Sequence, residues 1–275
     1  MTVVLSLLTA FAWTAFNYWI VPISRSVDPY VASFVVLLAN GLCTIPLALA
    51  IDGLPGHGDL RPLGYAVLAG VFEVAGFLFF FRALETGDLA VVAPIVGVEG
   101  GIAALAVIAF GEHVSVLIAV GLAISLAGGC LAAAQGRRRT AAGALPAAGA
   151  AVCLGLMFAL YAAAEDLGPV SAVASGRLSA LTLLGAMLVW RGVSVPSRSA
   201  SGRLIVLGAI DAAAFVSYAY AAARGPVSVA AVVSGQFSTL SAVAGIAFLR
   251  ERLKPHQYVG ILLAGGGTTL LALVQ

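Results

Sequence analysis

Apolar runs of about 20 residues, the length that crosses a bilayer as a helix, follow one another along the whole chain. Each is cut off where charge, Gly or Pro gathers, and together they predict ten helices, near 3–24, 29–51, 63–85, 88–110, 113–134, 144–166, 169–190, 203–224, 226–249 and 255–274. Lipid offers backbone groups no hydrogen-bond partner, and the period-two alternation of a barrel strand is absent. The expectation is an all-α membrane protein.

The pattern occurs twice. "GVFEVAGFLFFFRALETGDLAVVAP" from Gly70 returns as "GAIDAAAFVSYAYAAARGPVSVAAV" from Gly208, in register at a spacing of 138 residues. Glu73 falls on Asp211, Phe77 on Phe215, Gly87 on Gly225 and Val91 on Val229. Past the middle of the next run the register slips by one, so that Glu112 falls on Glu251, Gly121 on Gly260 and Gly128 on Gly267. Five helices per copy is an odd number, and the second copy must then enter the membrane from the opposite side. The chain therefore reads as ten transmembrane helices in two inverted five-helix repeats, 1–135 and 144–275, joined by a basic linker at 136–143.

Composition agrees, since 61% apolar and 9% charged residues with a mean hydropathy of +1.08 leave too little polar surface for a water-soluble globule. The partner this implies is a lipid bilayer. A net charge of +2, with Lys and Arg spread over short loops, gives no reason to expect nucleic acid. The first apolar run has no basic leader before it and reads as a retained span. Cys43, Cys130 and Cys153 lie within apolar runs without a CxxC pair or a nearby His, and read as buried free thiols. No metal and no cofactor is expected.

Ten of the fourteen Lys and Arg lie in the loops after helices one, five, seven and nine. By the positive-inside rule this places "QGRRRT" in the cytoplasm and both termini outside.

Ionisable groups within a span are costly and face a bundle interior or a wet cavity. Glu73 and Glu99 fall near the middle of helices three and four, and Asp211 is slightly shallower in helix eight. Because Glu73 and Asp211 are repeat equivalents, they are expected on opposite walls of one central cavity. These carboxylates can be read as substrate or proton sites, or as structural ion pairs with Arg177 or Arg82. Arg177 can hold a substrate anion through its planar fork or neutralise one of the three acids. Arg82, near its helix end, reads as snorkelling to the headgroups. Trp13, Asn40, Gln236 and Tyr218 complete the candidate set, as polar or amphipathic residues at membrane depth that line a pocket or fill the core.

Small residues at Gly97, Gly100, Gly101, Gly121, Ser125, Gly129, Gly260 and Ala264 have the spacing of close helix contacts. On helices five and ten they can also form a homodimer face, so the chain is read as a monomer or homodimer. Glu112 and Glu251, at turns before a helix, are expected to cap the helix that follows. "GHGD" at 56–59 resembles the GxGD of intramembrane aspartyl proteases, but it stands in a Pro-bracketed loop without a partner "YD". With no HExxH, rhomboid or phosphate-loop pattern either, no enzyme is expected.

Two stretches, "ALETGDLAVVAPIVGVEGGIAALAVIAFGEHVSVLIAVGLAISLAG" and "AAARGPVSVAAVVSGQFSTLSAVAGIAFLRERLKPHQYVGILLAGGG", resemble the drug/metabolite transporter superfamily in its ten-helix, EamA-type form. Glu99 matches that family's mid-helix Glu, Phe237 its aromatic and Arg177 an Arg frequent early in helix seven. Gly100 and Ser238 stand where the family's prolines would be. The resemblance implies a secondary transporter of amino acids, related metabolites or drugs, working by alternating access in a cell membrane, as in the inner membrane of a bacterium. Proton coupling through Glu99 is the expected energy source. An uncoupled facilitator and a non-transporting structural or signalling subunit are the alternatives.

Overall fold

The computed structural model describes residues 1–24, 26–53, 60–87, 89–133, 143–192, 198–240 and 254–274. Arg25, His57 and Asp59, the arginines at 137–139, Arg250, Glu251 and Arg252 lie outside them. Among the described residues every regular element is helical. In chain order these are α1 (Thr2–Ser24), α2 (Pro29–Ile51), α3 (Leu60–Thr86), α4 (Leu89–Val96), α5 (Glu99–Ala109), α6 (Val116–Ala133), α7 (Ala144–Ala163), α8 (Pro169–Arg191), α9 (Arg198–Ala222) and α10 (Val227–Ser234). A 3₁₀ turn, Glu165–Leu167, follows α7, and the last helix is α11 (Pro255–Val274). Six segments are long and apolar enough to cross a membrane: α1, α2, α3, α7, α8 and the Ser201–Ala222 part of α9. The remaining apolar helices are shorter. Large apolar side chains such as Phe11, Trp19, Leu42, Leu105 and Leu262 are exposed on the outside, as expected of a surface that lipid covers.

Helix starts follow local chemistry. The Asp28 carboxylate accepts from the amides of Tyr30 at 2.9 Å and Val31 at 3.4 Å, and Pro29 occupies the first turn of α2. At α8, which also opens on a proline, the cap comes from the other copy. The amides of Val170 and Ser171 both donate to Asp52 Oδ2 at 2.8 Å. Glu112 behaves likewise. It was expected to cap the helix that follows it, α6; instead its Oε2 accepts from the Val227 amide at 2.8 Å, and Ser228 donates through both amide and hydroxyl. The carboxylate thus caps α10, because the loop after α5 lies beside that helix start.

The two sequence copies interlock. α3 packs on α7 and α8, while its counterpart α9 packs on α1 and α2, and α6 lies along α11. The repeat starts at Gly70 and Gly208 for a visible reason. A Cβ at Gly70 would run into the Gly176 carbonyl and Ser179, and one at Gly208 into the Val36 carbonyl and Ala39. Each glycine lets the third helix of one copy touch the backbone of the second helix of the other. The small residues of α6 and α11 are likewise used within the chain, with Gly128 against Ala264 and Gly267 against Ser125.

Two further expectations change. Cys43 and Cys130 are exposed and Cys153 is half-buried, because an apolar run puts residues on a lipid-facing surface as readily as in the core. Helix four is not continuous: it breaks at Gly97–Val98 into α4 and α5, and α10 ends at Ser234 before a turn at 235–236, with helix resuming at Phe237.

Candidate functional site

The two breaks are copies of each other. Gly97 N–H donates to the Ala93 carbonyl at 2.9 Å and Val98 N–H to Ile95 at 3.2 Å; Gly235 N–H donates to Ala231 at 2.9 Å and Gln236 N–H to Val233 at 3.2 Å. In each, the second bond has slipped to three-residue spacing, tightening the turn. The breaks also cross. A Cβ at Gly235 would come within 3.2 Å of the Gly97 carbonyl oxygen and 3.4 Å of Gly100 Cα, and one at Gly100 would run into the Ala231 backbone. Gly100 therefore serves close approach, and the discontinuity forms without prolines at 100 and 238.

Glu99, the first residue of α5, lies just past the break. It is buried, and its Oε2 has no hydrogen-bond partner. The first turn of a helix favours negative charge, and Val98 in the cap position offers no side-chain hydrogen bond there. Glu99 lines a cavity with Asp211, Asn17 and Trp13, and the walls carry Phe16, Phe77, Phe80, Phe158, Phe215 and Phe237. At about 50 Å³ it has room for water but not for a drug-sized solute, which takes ~300 Å³ or more.

Behind one wall, Arg177 is completely buried between the two equivalent acids. It forms an ion pair with Glu73, its Nη2 is 3.7 Å from Asp211 Oδ2, and its guanidinium stacks 4.1 Å above the Phe215 ring. Tyr161 donates its hydroxyl to Glu73 Oε2 at 3.3 Å. Asp211 accepts from Trp13 Nε1 at 3.1 Å and from Asn40 Nδ2 at 2.9 Å. Thr44 in turn donates to the Asn40 side chain at 3.3 Å. Both carboxylates of the pair are thus held by α1, α2, α7 and α8, the helices that each copy lends to the other.

The structure brings Trp13, Asn40, Glu73, Arg177 and Asp211 into one network; Glu73, expected on the wall opposite Asp211, pairs with Arg177 instead and is not in the cavity lining, which Glu99 shares with Trp13 and Asp211. Gln236 and Tyr218 are elsewhere. Gln236 Nε2 donates to Ser125, to its carbonyl at 3.2 Å and its hydroxyl at 3.1 Å, tying the second break to α6. Tyr218 packs on Phe158 and lines a smaller cavity with Tyr161, Glu165, Pro169, Ala223 and Val227. Arg82 is 66% exposed and pairs with Glu85 at 2.8 Å.

Of the aromatic walls, the sequence singled out Phe237 by its resemblance and passed over the other phenylalanines, although a signal existed. Phe77 and Phe215 lie one helical turn after Glu73 and Asp211, on the same face, and are themselves repeat equivalents. A wider apolar groove of about 710 Å³ between α2, α3 and α8 is lined by no ionisable group, so the central cavity holds the chemistry.

Comparison with the curated proteins gives no match. Among solved structures 28 chains match. One, titled "Crystal structure of protein", superposes with a TM-score of 0.75 at 18% identity, over 99% of this chain and 96% of that one, a likeness of fold. The EamA-like transporter family pattern matches twice in tandem, over residues 1–134 and 141–273. With nearly the whole sequence covered by that double match, the chain belongs to the EamA-like transporter family, a family of multi-pass membrane proteins within the drug/metabolite transporters.

Proposed function

We propose that this protein is a secondary transporter moving small organic solutes by alternating access, with proton movement through Glu99 driving the exchange. In this reading all ten apolar segments span the membrane, as inverted repeats 1–135 and 144–275 flanking a linker at 136–143, in a bacterial inner membrane. The observation that carries it is the buried, unpartnered Oε2 of Glu99 at a helix break beside a central cavity. An ionised carboxylate without a partner in such a place is costly, and a proton or a bound cation relieves that cost. The crossing breaks supply the moving part, since a helix interrupted at its middle can tilt one half against the other.

The test is proton movement in proteoliposomes loaded with a pH-sensitive dye and challenged with pools of amino acids, amines, sugars and nucleosides. Wild type should move protons with at least one pool, and Glu99→Gln, which keeps size and hydrogen bonding, should stay monodisperse and lose that signal. Solute flux in Glu99→Gln equal to wild type would remove this residue from the mechanism. Flux that ignores pH in the wild type would make the protein an uncoupled facilitator.

A further inference from the structure

We infer that the solute is an amine: a cationic nitrogen on an apolar or aromatic body, without a carboxylate of its own. The inference rests on the transport reading and narrows it from metabolites in general to one charge class.

The argument is one of charge. Among the described residues the buried side chains of Asp, Glu, Lys and Arg are Glu73, Glu99, Asp211 and Arg177, three acids to one base. The base is committed. Arg177 is 0% exposed, paired with Glu73, close to Asp211 and stacked on Phe215, and it does not line the cavity. A substrate carboxylate in the cavity would therefore meet no free guanidinium, while sharing the space with the carboxylates of Glu99 and Asp211. Burying such a like charge without a partner is heavily unfavourable.

An ammonium group meets the opposite surroundings. It carries only donors, and the ionised carboxylates at the wall carry only acceptors, including the unpartnered Glu99 Oε2. The rest of the lining is mostly aromatic, with Val96, Leu154, Met157 and the neutral amide of Asn17 between the rings, and ring faces attract a desolvated cation. The competing feature is the start of α5, whose first-turn amides would attract an anion. Glu99 itself stands in that turn and supplies the negative charge. An amine and a proton thus satisfy the same group, whereas an amino acid brings a second charge for which the lining holds no cationic partner, only the neutral amide of Asn17.

The test uses matched probes that differ only in charge. Phenethylamine, tryptamine and isoamylamine are compared with phenylalanine, tryptophan and leucine, and with the deaminated acids 3-phenylpropionate, indole-3-propionate and 4-methylpentanoate. Each is applied to proteoliposomes of the full chain on a solid-supported membrane, and binding is checked separately by thermal shift in detergent. The amines should give responses at concentrations at least about tenfold lower than their parent amino acids, and Glu99→Gln should lose the amine response while remaining monodisperse. If that variant does not fold, Glu99→Asp serves in its place, with a weakened response that keeps the amine preference. Equal or better responses to the amino acids overturn the amine inference and leave the transport reading standing. A preference for the acids overturns it in favour of the α5 amides. Silence from all nine probes in both measurements overturns the amine inference, and the dye-loaded proteoliposomes and solute pools described above then decide the transport reading separately.

Discussion

Arg177 shows how much one side chain can hold at membrane depth. It is enclosed by Glu73, Asp211 and the Phe215 ring, so its removal strands a carboxylate in the core. Arg177→Gln should destabilise the protein by about 3–5 kcal/mol, read as a lowered Tm in detergent, and Arg177→Gln combined with Glu73→Gln should recover part of the loss. Trp13→Phe keeps the ring contacts with Phe158 and Phe215 but removes the donor to Asp211. It should cost about 1.5–3 kcal/mol without collapsing the fold, a smaller drop on the same melting curve. At this scale the sequence was readable where charge interrupts apolar runs, which is why Glu73, Glu99, Asp211 and Arg177 stood out. It was silent on the partners. A phenylalanine in a membrane helix looks the same whether it faces lipid, as Phe11 does, or the cavity, as Phe16 does, because both environments are apolar.

Among the elements, helix existence and order were legible from the length of the apolar runs, and the breaks were not. Gly97–Val98 and Gly235–Gln236 sit in stretches with no charge or proline at the turn itself, so hydropathy runs straight through them. What forces the turns is the crossing of two backbones, a contact between residues far apart in sequence. Glycines at such crossings should not be interchangeable with others. Gly208→Val, against the Val36 carbonyl, should cost about 1–3 kcal/mol or more and lower the monodisperse yield. Gly265→Val, with no atom near its would-be Cβ, should be tolerated in the same assay. Cap partners were also hidden. Glu112 was visible as a capping carboxylate, but only the packing of the halves decides that α10 receives it.

The whole molecule is two copies that complete each other. α3 is buried by α7 and α8, and α9 by α1 and α2, so neither copy encloses its own central helix. Fragments 1–135 and 144–275, co-expressed with an affinity tag on one, should copurify as a folded pair. Each expressed alone should aggregate on size exclusion. The repeat spacing announced the two copies; it could not announce the exchange of partners, since a tandem of self-contained bundles would show the same spacing.

The carboxylate caps of Asp52 on α8 and Glu112 on α10 join the two copies at one end of the molecule, where the starts of both helices line the same small cavity. Any parting of the copies there leaves amides of Val170, Ser171, Val227 and Ser228 to be taken up by solvent. In the alternating-access cycle proposed above, opening this end is then a hydration reaction, sensitive to the activity of water as much as to any gradient. Osmotic stress from an excluded solute such as sucrose should slow turnover in wild type, and should slow it less in Glu112→Ala, where one of the two clasps is already handed over to water.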